Sequence, residues 1–106
     1  MNLTEFAKEV HKNAVQHGWW EKEPSFVEII ALCHSELSEA LEEYRNSNPD
    51  VYYNGFKLEG IAVKLADCIL RILDYCGKAG IDIEDIIRRK HEYNKTRPYL
   101  HGGKKI

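Results

Sequence analysis

Apolar residues recur at helical spacing in four stretches of the chain. They predict helices over about 2–17, 24–45, 59–79 and 82–97, with Gly, Asn or Pro near the ends. The segment between the second and third helices has no clear period, so residues 50–58 are predicted to form a loop. We therefore expect an all-α fold, a small bundle of four to five helices.

The third predicted helix is apolar around most of its circumference, which indicates a helix buried on most sides. Its polar positions form a single stripe, because each is three or four residues from the next. The members of this stripe are Lys64, Asp67, Arg71, Asp74 and Lys78. Alternating charges at this spacing are typical of ion pairs formed within one helix.

Length and composition indicate one globular domain over residues 1–106. Charged residues make up 30% of the chain and the net charge is −2, which gives no electrostatic reason to expect a nucleic acid polymer as a partner. The longest apolar run is interrupted by charges, so no membrane partner is expected. Cys33, Cys68 and Cys76 are an odd set on apolar helix faces and indicate reduced core thiols in a cytoplasmic protein. Helical chains this short often complete their burial in an oligomer.

Three carboxylates project from one side of the second helix. Glu36, Glu39 and Glu43 follow one another at three and four residues, and like charges in this arrangement repel unless solvent, a basic side chain or a metal ion lies between them. If the second and third helices pack antiparallel, Asp67 can join Glu36 and Glu39 in an oxygen-rich site. Such a site suits Mg²⁺, which binds phosphate oxygens and orients water. Two simpler readings remain open: a solvated helix face, and pairing of Asp67 with Lys64 or Arg71.

The order of three motifs resembles the MazG-like, all-α nucleoside triphosphate pyrophosphatases. The first is Glu36-x-x-Glu39, the second is the helix over 59–74 with Asp67, and the third is the segment 90–104. Together they cover the chain from about Ser25 to its C-terminus. The resemblance implies Mg²⁺-dependent hydrolysis (Mn²⁺ being a possible substitute) of the α–β bond of a (deoxy)nucleoside triphosphate to monophosphate and pyrophosphate. It also implies a homodimer or homotetramer whose sites are completed near subunit interfaces.

The resemblance also implies roles for individual residues. Glu36, Glu39 and Asp67 match the metal ligands, and Glu36 or Glu39 would orient the attacking water. The residues that match the triphosphate-contacting set are Lys90, Asn94 and Arg97, with Lys104 as a further member. Side chains with aromatic rings are candidates for contacting the base, and these are Trp19, Trp20, His34 and Tyr53.

Lys64 departs from this family pattern, because it stands where the third glutamate is expected. A protonated lysine cannot coordinate Mg²⁺ and repels it. Three explanations follow. Glu43 or another carboxylate substitutes for the missing ligand, or Lys64 itself contacts phosphate beside a weaker or single metal, or hydrolysis has been lost. The last makes the chain a helical module that binds a nucleotide or a protein.

Overall fold

Four helices and one small hairpin make up the fold in the computed structural model, which describes residues 1–99. The elements are α1 (Leu3–Gln16), α2 (Phe26–Arg45), β1 (Tyr52–Asn54), β2 (Lys57–Glu59), α3 (Ile61–Ala79) and α4 (Ile83–Lys95). The prediction of a small, mainly helical fold is thus confirmed. Within the described part of the chain, no helix combines the length and the apolar character that crossing a membrane requires.

The start of α2 is set by Ser25 rather than by Pro24. The Ser25 hydroxyl accepts a hydrogen bond from the Glu28 backbone N–H at 3.1 Å, and the Glu28 carboxylate accepts one from the Ser25 N–H at 3.2 Å. This reciprocal pair satisfies two backbone donors that a helix start leaves open. The predicted start at Pro24 is therefore two residues too early. The prediction that Asp82 caps α4 is confirmed, since its carboxylate accepts from the Asp85 N–H at 3.2 Å.

The loop predicted over 50–58 is wrong, because a hairpin occupies most of this segment. Strands β1 and β2 pair antiparallel, with Tyr53 opposite Leu58 and Asn54 opposite Lys57. Each strand has only three residues, which is too short for apolar alternation to become visible. The turn between them contains Gly55 at a φ of 65°, a conformation that glycine adopts without steric cost.

Helix α3 is the central element, and α1 and α2 both pack against it. Gly77 permits the approach of α1, because a Cβ at this position would collide with the backbone carbonyl of Ala7. Helix α4 packs on α1, where the Thr4 hydroxyl bonds to Asp82 at 2.6 Å and accepts from the Glu84 N–H at 3.0 Å. Within residues 1–99, these contacts leave one side of α2 and α3 without a neighbouring element.

The buried core is small and lies between α1 and α3. Its centre is formed by Ala7, Leu73 and Cys76, and Cys33 and Cys68 are buried between α2 and α3. All three cysteines are free, as predicted. The expectation that α3 is buried on most sides is wrong for the single chain. Among residues 1–99, α1 and α2 pack along it and β2 touches it, and the apolar side chains on its remaining side are exposed: Leu65 (45%), Ile69 (55%) and Ile72 (43%).

Candidate active site

A groove of about 1040 Å³ runs between α1 and α2, with α3 as its floor. This volume lies at the upper end of what small-molecule sites usually have. Polar groups converge on one part of it, and aromatic side chains on another. Its polar lining residues are Glu9, Asn13, Glu36, Lys57, Asp67, Arg71 and Asp74, and its aromatic ones are Phe6, Trp19, Trp20 and Tyr75.

Two ion pairs join α2 to α3 beside this groove. Arg71 Nε lies 3.8 Å from Glu36 Oε2, and Lys64 Nζ lies 3.5 Å from Glu39 Oε1. The pairing follows from the antiparallel packing of the helices, which sets the later residue of α2 beside the earlier residue of α3. Glu36 and Lys64 are both buried, with 7% and 8% of their surface exposed. The predicted pairing within α3 is therefore wrong for these two cations, because both reach across to α2.

The pKa values of Glu36 and Glu39 move in opposite directions. Burial raises the pKa of Glu36, and the hydrogen bond to Glu39 and the charge of Asp67 add to this effect. The hydrogen bond from Glu36 lowers the pKa of Glu39, with the charge of Lys64 acting in the same direction. Carboxyl pairs whose pKa values are driven apart by their surroundings are typical of acid–base chemistry.

The two cationic side chains of this site, Lys64 and Arg71, differ in how well their surroundings satisfy them. Burial lowers the pKa of Lys64, but the charges of Glu39, Asp67 and Glu36 outweigh it, and the pKa is raised overall. Lys64 therefore stays charged at neutral pH. Arg71 Nε is buried, and among the described residues it has no hydrogen-bond acceptor, since its 3.8 Å approach to Glu36 is too long for a hydrogen bond. Leaving this N–H without an acceptor is unfavourable for folding.

A second polar network shapes the aromatic part of the groove. Asp74 accepts from Trp20 Nε1 at 3.1 Å to both carboxylate oxygens, and its Oδ1 lies 2.8 Å from His11 Nδ1. The Trp20 and His11 rings meet edge to face, with centroids 4.9 Å apart. Trp20 is thus fixed as a wall of the groove. Trp19 is 69% exposed and keeps a free ring face at the same end.

The residues as arranged do not fit a resident Mg²⁺ ion. Arg71 lies beside Glu36 and Lys64 lies beside Glu39, so each of these carboxylates already has a cation next to it. Among residues 1–99, no group of three or more His, Cys, Asp or Glu side chains is placed to hold a metal.

The suggested substitute ligand, Glu43, is engaged elsewhere in the structure. It accepts hydrogen bonds from the Tyr52 hydroxyl at 2.8 Å and from Asn48 at 2.8 Å. The hydrogen bond to Glu43 raises the pKa of Tyr52, as expected for a phenol that donates to a carboxylate. Glu43 thus belongs to the contact between α2 and the hairpin rather than to the groove.

The expected triphosphate-contacting set lies away from the groove within one chain. Lys90 and Asn94 are exposed on α4, and the side chains of Lys90 and Arg97 lie over the Tyr93 ring at 4.7 and 5.5 Å. His34 is exposed on α2 and does not line the groove. Lys104 lies outside the described residues.

Arg71 lines the groove, but the sequence pattern assigns it no function there. It stands one turn after Asp67 on the polar stripe, where the spacing predicts an ion pair within the helix. The signal that could have assigned it is the burial of the facing residue, Glu36, because a buried carboxylate requires a partner from another element.

Comparison of the chain with protein-family models, with curated proteins and with solved structures found no match in any of the three. The groove and the sequence motifs are therefore the observations that point to a function.

Proposed function

We propose that the chain is a nucleoside triphosphate pyrophosphohydrolase whose substrate is the Mg²⁺ complex of the nucleotide. The observation that carries the proposal is one groove in which Glu36 and Glu39 have opposite pKa shifts beside the unpartnered N–H of Arg71. The resemblance of the motifs to MazG-like enzymes agrees with it. Mg²⁺ enters with the triphosphate, because the carboxylates as arranged do not fit a resident ion.

The cationic residues of the groove bind the triphosphate in this proposal. Arg71 lines the groove with 34% of its side chain exposed, and its guanidinium donates to a phosphate oxygen, a charge-assisted hydrogen bond stronger than one between neutral groups. Lys57 lines the same groove and is 69% exposed at its side chain, where it pairs with Glu59 at 3.2 Å. Its ammonium is therefore accessible to a second phosphate. The positive charges of Arg71 and Lys57 beside the phosphates also offset the repulsion between the substrate and Glu36 or Asp67.

Glu36 is the proposed general base. In its ionised form its raised pKa makes it a stronger base than an ordinary glutamate at neutral pH. Water oxygen forms a bond to the α phosphorus and its proton passes to the Glu36 carboxylate. The bond from the α phosphorus to the α–β bridging oxygen breaks, and pyrophosphate leaves with that oxygen. Glu39, whose pKa is lowered, keeps its charge, and this charge stabilises the proton on Glu36 after the transfer.

The aromatic end of the groove is the proposed base site. Trp19 offers an exposed ring face, and a base that stacks on it lies in the same groove as Arg71. Trp20 is held by Asp74 and bounds the site rather than stacking. Stacking on one ring tolerates different bases, which fits an enzyme with a broad substrate range.

We also propose that the active form is a homodimer or homotetramer. The radius of gyration is 16.5 Å, against about 13 Å for a compact domain of this length. The uncovered side of the α2–α3 pair carries apolar side chains, including Leu37, Leu41, Leu65 and Ile69. In the proposed assembly a second copy covers this side, and the α4 of one chain lies near the groove of another. Lys90, Asn94 and Arg97 then contact the triphosphate across the interface.

A panel of ribo- and deoxyribonucleoside triphosphates with Mg²⁺, assayed for pyrophosphate release, tests the proposal. We expect turnover of at least one nucleotide, and a rate that rises with pH as Glu36 loses its proton. The control for substitution of Glu36 is Glu42→Gln. Glu42 is an exposed glutamate on the same helix, and this variant should keep the activity. Absence of turnover across the panel with Mg²⁺ and with Mn²⁺ would contradict the enzyme.

A second candidate is a nucleotide-binding module without turnover. The observation that favours it is the pairing of Lys64 with Glu39, which neutralises a carboxylate of the site. In that case quenching of Trp19 fluorescence by a nucleotide accompanies the absence of hydrolysis. Neither quenching nor turnover would leave both candidates without support.

A further inference from the structure

We propose that the Lys64 ammonium is the built-in cation of the α2–α3 carboxylate cluster, so that the nucleotide-free chain binds no divalent metal there. The cluster consists of Glu36, Glu39, Asp67, Lys64 and Arg71. The inference concerns the empty chain and does not depend on whether the groove hydrolyses, binds or ignores nucleotides.

The charges of the cluster are almost balanced without a metal. Three carboxylates face two cationic side chains, which leaves one negative charge if all five are ionised. Lys64 Nζ is 3.5 Å from Glu39 and Arg71 Nε is 3.8 Å from Glu36. The attraction that would otherwise draw a divalent ion to three carboxylates is thus largely used within the protein.

The ammonium of Lys64 cannot make way for a metal easily. Its side chain is only 11% exposed, and it extends from the first turn of the helix that forms the floor of the groove. A Mg²⁺ or Mn²⁺ ion bound to Glu39 would stand within a few ångströms of this charge and be repelled by it. If the ammonium lost Glu39 but stayed buried, an unpaired charge would remain inside the protein, which is strongly unfavourable.

The charge and position of Lys64 together explain why no metal group forms among the described residues. Glu36 and Asp67 are near each other, since the charge of Asp67 acts on Glu36, but Glu36 has Arg71 and Glu39 has Lys64 beside it, and no group placed to hold a metal is found among residues 1–99. A carboxylate at position 64 would reverse this situation. It would add a fourth oxygen ligand donor and remove the competing charge, and hard divalent ions prefer such a set.

Calorimetric titration of the nucleotide-free protein with MnCl₂ tests this inference. We expect no binding by the wild-type chain at this site and binding of one or two ions by Lys64→Glu, with an affinity at least about tenfold above wild type. The matched control is Lys78→Glu, on the same helix about 21 Å away along its axis, which also loses an ion pair to a glutamate (Glu23, 3.1 Å). Wild-type binding as tight as that of Lys64→Glu, or equal gains in both variants, would overturn the inference.

Lys64→Met provides a second test if Lys64→Glu does not fold. It removes the charge but keeps much of the side-chain volume, so three carboxylates lose one of their two cations. We expect its melting temperature to fall by roughly 5–10 °C without metal and to recover in part with MnCl₂. The wild-type melting temperature should not respond. A response of the wild-type chain equal to that of Lys64→Met, or no response of either, would show that Lys64 does not stand in for a metal.

Discussion

Glu36 is the residue on which the chemistry of the groove depends. It is buried, its pKa is raised by that burial, and its cationic neighbour Arg71 approaches without a hydrogen bond. A carboxylate in this position is unfavourable for folding, because burial penalises its charged form. Such a cost is common at functional sites, where a group is held ready for a reaction rather than for stability.

The burial of Glu36 predicts that Glu36→Gln stabilises the protein at neutral pH. A raised pKa means that the folded chain holds the proton more tightly than the unfolded chain. The corresponding stability is present below the unfolded pKa and is lost as pH rises through the folded pKa. Glutamine resembles the protonated form and loses nothing as pH rises.

Thermal melts of the wild type and Glu36→Gln between about pH 4 and pH 8 measure this effect. The advantage of the variant should grow with pH, from near zero to a few degrees. Glu42→Gln, on the same helix but exposed, controls for the change in net charge. An advantage that is constant across this range would contradict the raised pKa.

At the scale of elements, the junction of the hairpin and α3 fixes where Lys64 lies. Gly60 has a φ of 126°, and its carbonyl accepts the Lys64 backbone N–H at 3.0 Å in the first turn of α3. A Cβ at Gly60 would collide with the backbone carbonyl of Asp50. The close approach of the loop thus sets the start of the helix, and the start of the helix sets the depth of its first polar residue.

Gly60→Ala is therefore expected to destabilise the fold by about 3 kcal/mol or more, because strain and a backbone collision add. The control is Gly55→Ala. Gly55 also has a positive φ, but nothing lies within 4 Å of its added Cβ, so about 1 kcal/mol is expected there from strain alone. Urea unfolding measures both. Equal losses would show that the contact with Asp50 does not restrain the start of α3.

The sequence predicted the helices well because their apolar spacing is a local property. It placed the start of α4 and the buried cysteines, but it missed the hairpin, whose strands are too short to show a period. Glu36 and Glu39 were selected by spacing. The partners of Lys64 and Arg71 could not be predicted, because two local carboxylates on α3 and two distant ones on α2 have the same charge. Only the packing of the helices decides between them.

At the scale of the whole molecule, the uncovered side of α2 and α3 predicts self-association. Light scattering after size exclusion should give a mass two or four times the 12.3 kDa of one chain. Ile69→Glu, which places a charge on this side, should shift the mass toward one chain. Val15→Glu, at an exposed apolar position on α1, is the control. A wild-type mass of one chain would contradict the proposed assembly.

The proposed function is hydrolysis at the α phosphorus, in a groove whose activity depends on Glu36. The most direct measurement is ³¹P NMR of the products from a Mg²⁺–nucleoside triphosphate in ¹⁸O-labelled water, for the wild type and Glu36→Gln in parallel. We expect pyrophosphate and a monophosphate that carries the label, with a rate at least about 100-fold lower in Glu36→Gln. Diphosphate with inorganic phosphate as products, or equal rates for the two proteins, would contradict it.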